Sequence, residues 1–240
     1  MEYQNPKLPE NNVSKENPLK EFSTLLIGVL VTVVVLSITL SLAGSWLAGK
    51  IPYSAEKKVA GLYDVSSHSD NDKYPKIAAY LQQLADKISE VQNLPDDIKI
   101  TVHYMDSQTM NAFATLGGNV FMFKGLLEKL PNENTLVTLL GHEIAHVKYR
   151  HPIKSFGGGI AVAIAMTTIG SSVDTNILGD AGMLSTLQFT RKMETQSDLE
   201  AMHNLHSIYG HLNGGAELFR IFREARASAG DGNNKEPSEF

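Results

Sequence analysis

Two histidines and a glutamate lie close together in the segment LLGHEIAHVKYRHP, residues 139–152. His142 and His146 are four residues apart, so on a helix their imidazoles occupy one face and can bind the same metal ion. Glu143 would lie about 100° around such a helix from His142, where its carboxylate can reach a water molecule beside the metal. This His-Glu-x-x-His pattern is typical of zinc peptidases in which the glutamate is the general base.

The pattern is short, and a shuffled chain of this composition would contain it roughly 2% of the time, so it needs a third ligand in support. Catalytic zinc takes three protein ligands and keeps one position open. The segment FTRKMETQSDLEAMHNL, residues 189–205, offers Glu194 and Asp198 on one face of a predicted helix. We predict that Glu194 is the third ligand and that Asp198 accepts the second ring N–H of a ligand histidine. The alternative is a solvated acidic face paired with Arg191 and Lys192.

His151, five residues after His146, falls off the predicted ligand face. We interpret it as a group that can carry a positive charge near the negative end of the helix dipole, where such a charge is stabilising. Position 152, where a further histidine would extend the motif in some metallopeptidases, holds a proline. The downstream acidic pair is therefore the better source of a third ligand.

Hydrophobic periodicity predicts the elements that position these residues. Apolar residues recur at three- and four-residue steps over 77–91, which indicates an amphipathic helix, and the segment 98–105 alternates like a strand. A Gly-Gly-Asn sequence at 117–119 stands between two short apolar runs, as in a hairpin. A second helix is predicted over 134–150 and should be stopped by Pro152.

Composition restricts the classes of function. The 240 residues carry a net charge of −5 and contain no basic patch interleaved with aromatic residues, so we do not expect nucleic-acid binding. The absence of cysteine excludes disulfides, thiolate ligands and a cysteine nucleophile. The length suits one sizeable domain with accessory segments.

The first 73 residues divide into three segments. Residues 1–21 are polar and rich in Asn and Pro, and we expect them to be disordered. Residues 22–49 carry no charge and exceed the roughly 20 residues that a helix needs to cross a bilayer. A cleaved signal peptide is the alternative, but the run is long for one, and we predict a transmembrane anchor. Residues 50–73 are interpreted as a juxtamembrane linker.

Three motifs, in this order, resemble the HtpX-like and CaaX-prenyl-protease-like family of membrane-associated zinc metallopeptidases: NAFATLGGNVFMFKGLL, LLGHEIAHVKYRH and ETQSD. The resemblance covers roughly residues 74–225, the predicted metallopeptidase domain. It implies an α+β, mostly α fold of the gluzincin type, with a small antiparallel sheet beside the active-site helix and one transmembrane helix before the domain. It also implies that the three predicted ligands bind one zinc ion and that Glu143 is the base.

The resemblance further implies a polypeptide substrate. In such enzymes the strand region matching Asn111, Ala112, Phe113 and Ala114 lies along the cleft, where a substrate can add as an extended strand. The N-terminal helix would contact membrane lipid. The implied role is quality control of membrane or envelope proteins, in a bacterial inner membrane with the domain on the periplasmic side. The opposite orientation stays open, because some members of the family face the cytosol and three lysines lie close to the apolar run on each side.

Two features depart from the family pattern. The family has a His-Pro motif after the third motif, and its histidine is expected to stabilise the charged intermediate, but residues 226–240 lack it. We therefore interpret 226–240 as a flexible, truncated tail and expect reduced activity, because loss of such a group costs about 10²–10³ in rate. Residues 156–173 are uncharged, and we predict a buried or membrane-apposed helical hairpin over the site rather than a further span.

Competing functions follow from these observations. The leading prediction is a membrane-anchored zinc endopeptidase. The alternative is a non-catalytic, zinc-stabilised binding or chaperone-like module at the membrane, which the missing His-Pro segment favours. A third is an anchored helical scaffold without a metal. Metal content separates the third from the other two, and cleavage separates the first two.

Overall fold

The computed structural model describes residues 17–61, 69–157 and 189–230. Its elements are, in chain order, α1 (Pro18–Ala48), α2 (Tyr53–Ala60), α3 (Pro75–Val91), β1 (Thr101–Met105), β2 (Ala112–Ala114), β3 (Asn119–Phe123), α4 (Lys124–Leu127), α5 (Glu133–Lys148), α6 (Arg191–Tyr209) and α7 (Gly215–Gly230). A further helical segment begins after α5, and its described part covers 151–157. The described residues thus form a mostly helical fold with one small sheet, which confirms the predicted class.

The N-terminal helix α1 is apolar and exposed along its length. Its 31 residues give a helix of about 46 Å, against about 30 Å for the hydrocarbon core of a bilayer. By length and composition it can cross a membrane. The Asn17 side chain caps the helix by accepting a hydrogen bond from the Leu19 amide, and Pro18 fits the first turn. The helix therefore begins before residue 22, which corrects the end of the predicted disordered tail; residues 1–16 lie outside the described residues.

The chain after α1 is folded, which corrects the prediction of a linker over 50–73. Helix α2 packs against the turn between β2 and β3. Its Glu56 is 2% exposed, and the carboxylate accepts hydrogen bonds from Arg150 Nε at 2.7 Å and from the Gly117 amide at 3.0 Å. These partners are distant in sequence, so local patterning could not indicate them. Residues 62–68 lie outside the described residues.

Helix α5 is central and is buried on almost every side, with α3, α6, α7 and β2 packed around it. Asn132 caps it by accepting a hydrogen bond from the Thr135 amide at 3.0 Å. The helix confirms the predicted element but ends at Lys148, because Arg150 has a left-handed backbone conformation with a φ of 59°. Pro152 lies within the helical segment 151–157 that follows. The turn at Arg150, and not the proline, therefore ends α5.

The sheet has the strand order β1-β3-β2. Strand β3 pairs antiparallel with β2, which confirms the predicted hairpin, but it pairs parallel with β1. The predicted small sheet is therefore present but mixed, because only its β2–β3 pair is antiparallel. The connection 106–111 leaves a gap one strand wide between β1 and β2, and β3 occupies that gap. Gly118 has a φ of 83°, and a Cβ there would lie 2.0 Å from the Lys99 carbonyl oxygen, so this turn requires glycine.

Helix α6 runs along α5 and carries the predicted acidic residues to the histidines. Thr190 caps its start, and Gly210, with a φ of 76°, ends it. The helices approach closely at Gly141, where a Cβ would lie 2.9 Å from Asn204 Nδ2 and 3.4 Å from Ala201 Cα. This contact fixes the distance between α5 and α6 one residue before His142.

Helix α7 also packs on α5 and continues to Gly230. The predicted flexible tail at 226–240 is therefore helical over 226–230, which corrects that boundary. Residues 231–240 lie outside the described residues, as do residues 158–188. The latter range contains nearly all of the helical hairpin predicted over 156–173, which stays a prediction.

Replacing Glu56 with glutamine should destabilise the protein, because the largely buried Arg150 would lose its negative partner. Breaking a buried ion pair by removing one charge costs roughly 3–5 kcal/mol. Lys58 is exposed on the same helix, so Lys58→Gln is the matched control and should leave stability nearly unchanged. Thermal unfolding of the full chain in detergent measures both variants. Equal melting temperatures for Glu56→Gln and the wild type would contradict the role given to this pair.

Candidate metal centre

Helix α5 directs the imidazoles of His142 and His146 toward one point. Their Nε2 atoms lie 2.9 Å apart. The other ring nitrogens have partners elsewhere: His142 Nδ1 lies 2.8 Å from Asp198 Oδ1, and His146 Nδ1 lies 3.0 Å from His151 Nδ1. Both histidines can therefore offer Nε2 to a metal ion while Nδ1 takes part in a hydrogen bond.

Glu194 on α6 supplies a third donor. Its Oε2 lies 3.4 Å from His142 Nε2, and its Oε1 lies 3.9 Å from His146 Nε2. Two atoms bound 2.0–2.1 Å from a tetrahedral zinc ion are about 3.3 Å apart, so these separations fit one ion after small side-chain movements. His142, His146 and Glu194 thus form a cluster that could hold a metal ion, with ligand atoms all within 4.8 Å of one another.

Negative charge is concentrated around His142. Burial lowers the pKa of this imidazole. Hydrogen bonds to Asp198 and Glu194 and the charge of Glu143 outweigh burial and raise the pKa to about 10. Burial lowers the pKa of His146, and the nearby charges of His142 and His151 lower it further. A centre that attracts a proton this strongly also attracts a metal cation, whose binding displaces the proton.

Glu143 lies beside the donor cluster and is 7% exposed. Burial raises the pKa of its carboxyl group to about 7, and the charge of Glu194 acts in the same direction. The charge of His142 and a backbone hydrogen bond from Ala114 oppose this rise in pKa. A carboxyl group with a pKa near neutrality can both accept and release a proton, which general acid–base catalysis requires.

The residues predicted to contact substrate lie at the edge of the sheet. Ala112–Ala114 form β2, which has β3 on one side and, among the described strands, no partner on the other. Asn111 precedes the strand, and its carbonyl accepts a hydrogen bond from the Phe123 amide. The Phe113 ring stacks on Phe121 with centroids 4.8 Å apart. Through the hydrogen bond from Ala114 to Glu143, this edge adjoins the candidate centre.

Two rings that the sequence did not assign to the centre pack on His146. Phe189 stacks on it with centroids 4.0 Å apart, and His151 meets it edge-on at 5.0 Å. His151 is 1% exposed, and burial lowers its pKa to about 4 although a hydrogen bond to Gln196 opposes this shift. The interpretation of His151 as a positively charged group near the end of the helix dipole is therefore wrong. It assumed a straight helix, whereas the turn at Arg150 folds His151 back under His146.

The arrangement matches that of metallopeptidases with a His-Glu-x-x-His helix. In these enzymes the ligands are two imidazoles from that helix and a further side chain, and the glutamate of the motif lies beside them. The chain belongs to Peptidase family M48, whose family model matches residues 75–227. This confirms the resemblance on which the predicted fold and chemistry depended.

Named relatives agree with this family. The mitochondrial metalloendopeptidase OMA1 of Schizosaccharomyces pombe is 32% identical over 130 residues, which cover 52% of this chain and 38% of the relative. The protein of the same name from Saccharomyces cerevisiae is 34% identical over 142 residues, covering 55% of this chain and 39% of the relative. The beta-barrel assembly-enhancing protease of Escherichia coli is 29% identical over 142 residues, covering 52% and 28%. The matched region thus spans less than half the length of each relative.

The purified chain should bind about one metal ion, and His146→Ala and Glu194→Ala should each reduce the bound metal strongly, because each removes one of three donors. His206 is an exposed histidine on α6, so His206→Ala is the matched control and should keep the full metal content. Elemental analysis after dialysis against trace zinc measures all four proteins. Undiminished zinc in both ligand variants would refute this ligand set.

Proposed function

We propose that this chain is a membrane-anchored zinc endopeptidase. The observation that carries the proposal is the convergence of His142, His146 and Glu194 beside the buried carboxyl group of Glu143. Two imidazole nitrogens and a carboxylate oxygen are a common protein ligand set for catalytic zinc, and they leave one position open. The names of the relatives, which describe a metalloendopeptidase or a protease, support the same reaction.

The reaction would be hydrolysis of a peptide bond. A zinc ion in the centre supplies polarisation of the peptide carbonyl and acidification of water. Glu143 accepts a proton from the attacking water and passes it to the leaving amine, and a pKa of about 7 suits both transfers. Asp198 accepts the Nδ1–H of His142 and so keeps the Nε2 lone pair directed at the metal.

The free edge of β2 is the proposed binding place for the substrate backbone. An extended peptide can add there as another strand, with main-chain hydrogen bonds giving affinity for any sequence. The segment Asn111 to Ala114 would then hold the scissile bond near Glu143, because Ala114 already contacts that carboxyl group. The exposed part of Phe113 would line the path of alternate substrate side chains.

The proposed setting is a membrane, with α1 as the single anchor and lipid as its surroundings. We further propose quality control of membrane or envelope proteins, with the domain on the periplasmic side of a bacterial inner membrane. A relative named for assisting beta-barrel assembly supports such a role. A reporter enzyme active only outside the cytoplasm, fused after residue 240, should be active in a bacterial host. An inactive reporter with an active cytoplasmic counterpart would place the domain on the other side.

Glu143→Gln should retain the bound metal and lower the cleavage rate by at least 10²-fold, because the variant keeps the side-chain shape but loses the base. Glu128 is exposed and lies outside the centre, so Glu128→Gln is the matched control and should cleave like the wild type. The measurement is cleavage of an unfolded protein substrate, followed by gel electrophoresis, together with zinc content.

Unchanged cleavage by Glu143→Gln would refute the assignment of the base. If the zinc-loaded wild type binds unfolded protein but cleaves none, the alternative of a non-catalytic, chaperone-like module replaces the peptidase.

A further inference from the structure

A chain of hydrogen bonds starts at His146 and leads away from the cluster through His151 to Gln196 on α6. We propose that this chain, through His151 as its first member, positions His146 for metal binding. The inference rests on the proposed metal centre and deepens it, because it assigns a function to side chains that lie outside the ligand set.

The first link fixes the proton positions of two imidazoles. Because His146 directs Nε2 at His142 and Glu194, its hydrogen lies on Nδ1 when a metal binds Nε2. That N–H then donates to His151 Nδ1, which is 3.0 Å away. His151 must accept at Nδ1, so its own hydrogen lies on Nε2.

The next links continue in the same direction. His151 Nε2 lies 3.3 Å from Gln196 Oε1, which accepts its hydrogen. The Tyr149 ring stacks on His151 with centroids 5.7 Å apart. Tyr149 donates to Glu200 Oε2 at 2.6 Å, and Lys148 pairs with the other carboxylate oxygen at 2.7 Å. His146 donates, His151 accepts at Nδ1 and donates at Nε2, and Gln196 accepts, so one arrangement of hydrogens satisfies these links.

This arrangement gives each metal-binding histidine an acceptor for its Nδ1–H. His142 meets the carboxylate of Asp198, whereas His146 meets the imidazole of His151, whose own N–H is accepted by the Gln196 side chain. Such partners hold a ligand imidazole in one tautomer and orientation and make it a better donor. Hydrogen bonds in a chain polarise one another, so the bond from His151 to Gln196 strengthens the first link.

The backbone supplies the geometry. Arg150 has a φ of 59°, and this turn reverses the chain so that His151 packs between the rings of His146 and Tyr149. Glu56 holds the Arg150 side chain in place. A packing role alone would also explain a buried ring at position 151, so the test must separate hydrogen bonding from space filling.

The experiment measures the zinc affinity of the full chain in detergent by competition with a chromophoric chelator. His151→Phe keeps a ring but removes the acceptor, and we expect a zinc dissociation constant about 10–100-fold higher. His151→Asn places an oxygen near the position of Nδ1, so it should bind zinc more tightly than His151→Phe despite filling less space. His206→Phe, at an exposed position of α6, should bind like the wild type.

Gln196 is exposed, so its replacement leaves the fold intact and gives a second test should His151→Phe fail to fold. Gln196→Leu removes the second link, and we expect a dissociation constant raised several-fold, whereas Thr195→Val beside it should have no effect. Zinc affinities of both His151→Phe and Gln196→Leu within twofold of the wild type would overturn the proposal. Equal weakening by His151→Phe and His151→Asn with an unaffected Gln196→Leu would also overturn it, in favour of packing. A wild type that binds no zinc would instead refute the metal centre itself.

Discussion

The close approach of α6 to α5 at Gly141 is the constraint on which the geometry of the candidate centre depends. Because Gly141 has no Cβ, the Ala201 backbone and the Asn204 side chain can pack directly against α5. His142 follows Gly141 in sequence, so the separation of the helices there determines whether Glu194 and Asp198 reach the imidazoles. Protein interiors are close-packed and yield little, so a larger side chain at 141 would move the donors of α6 away from those of α5.

A second set of contacts joins the membrane-proximal part of the chain to the same centre. The segment that follows α1 folds as α2, and its Glu56 binds both the hairpin turn at Gly117 and the side chain of Arg150. Arg150 in turn makes the reversal that places His151 against His146. This buried ion pair, together with the apolar cluster of Ala48, Ala60, Leu116, Ile153 and Phe156, connects the end of α1 and the hairpin turn with the segment that follows α5.

The sequence could predict what depends on local spacing. The histidines at i and i+4, the carboxylates of Glu194 and Asp198 and the glycine turn of the hairpin all follow from helix and turn geometry. It could not predict α2, because the partners that bury Glu56 are distant along the chain. The parallel pairing of β1 with β3 depends on the order in which strands enter the sheet, which alternating hydrophobicity does not record. The role of His151 was missed because a positive φ at an arginine has no local sequence signal.

In the proposed centre, the imidazoles of His142 and His146 and the carboxylate of Glu194 hold a zinc ion, while the imidazole of His151 stays outside the ligand shell. Zinc K-edge X-ray absorption of the zinc-loaded full chain tests this most directly. We expect a first shell of nitrogen and oxygen at about 2.0–2.2 Å, with outer-shell scattering from two imidazoles. Scattering from three imidazoles would show that His151 is a ligand. Scattering from one imidazole or none would show that the metal does not bind at this cluster. Either result would contradict this ligand assignment.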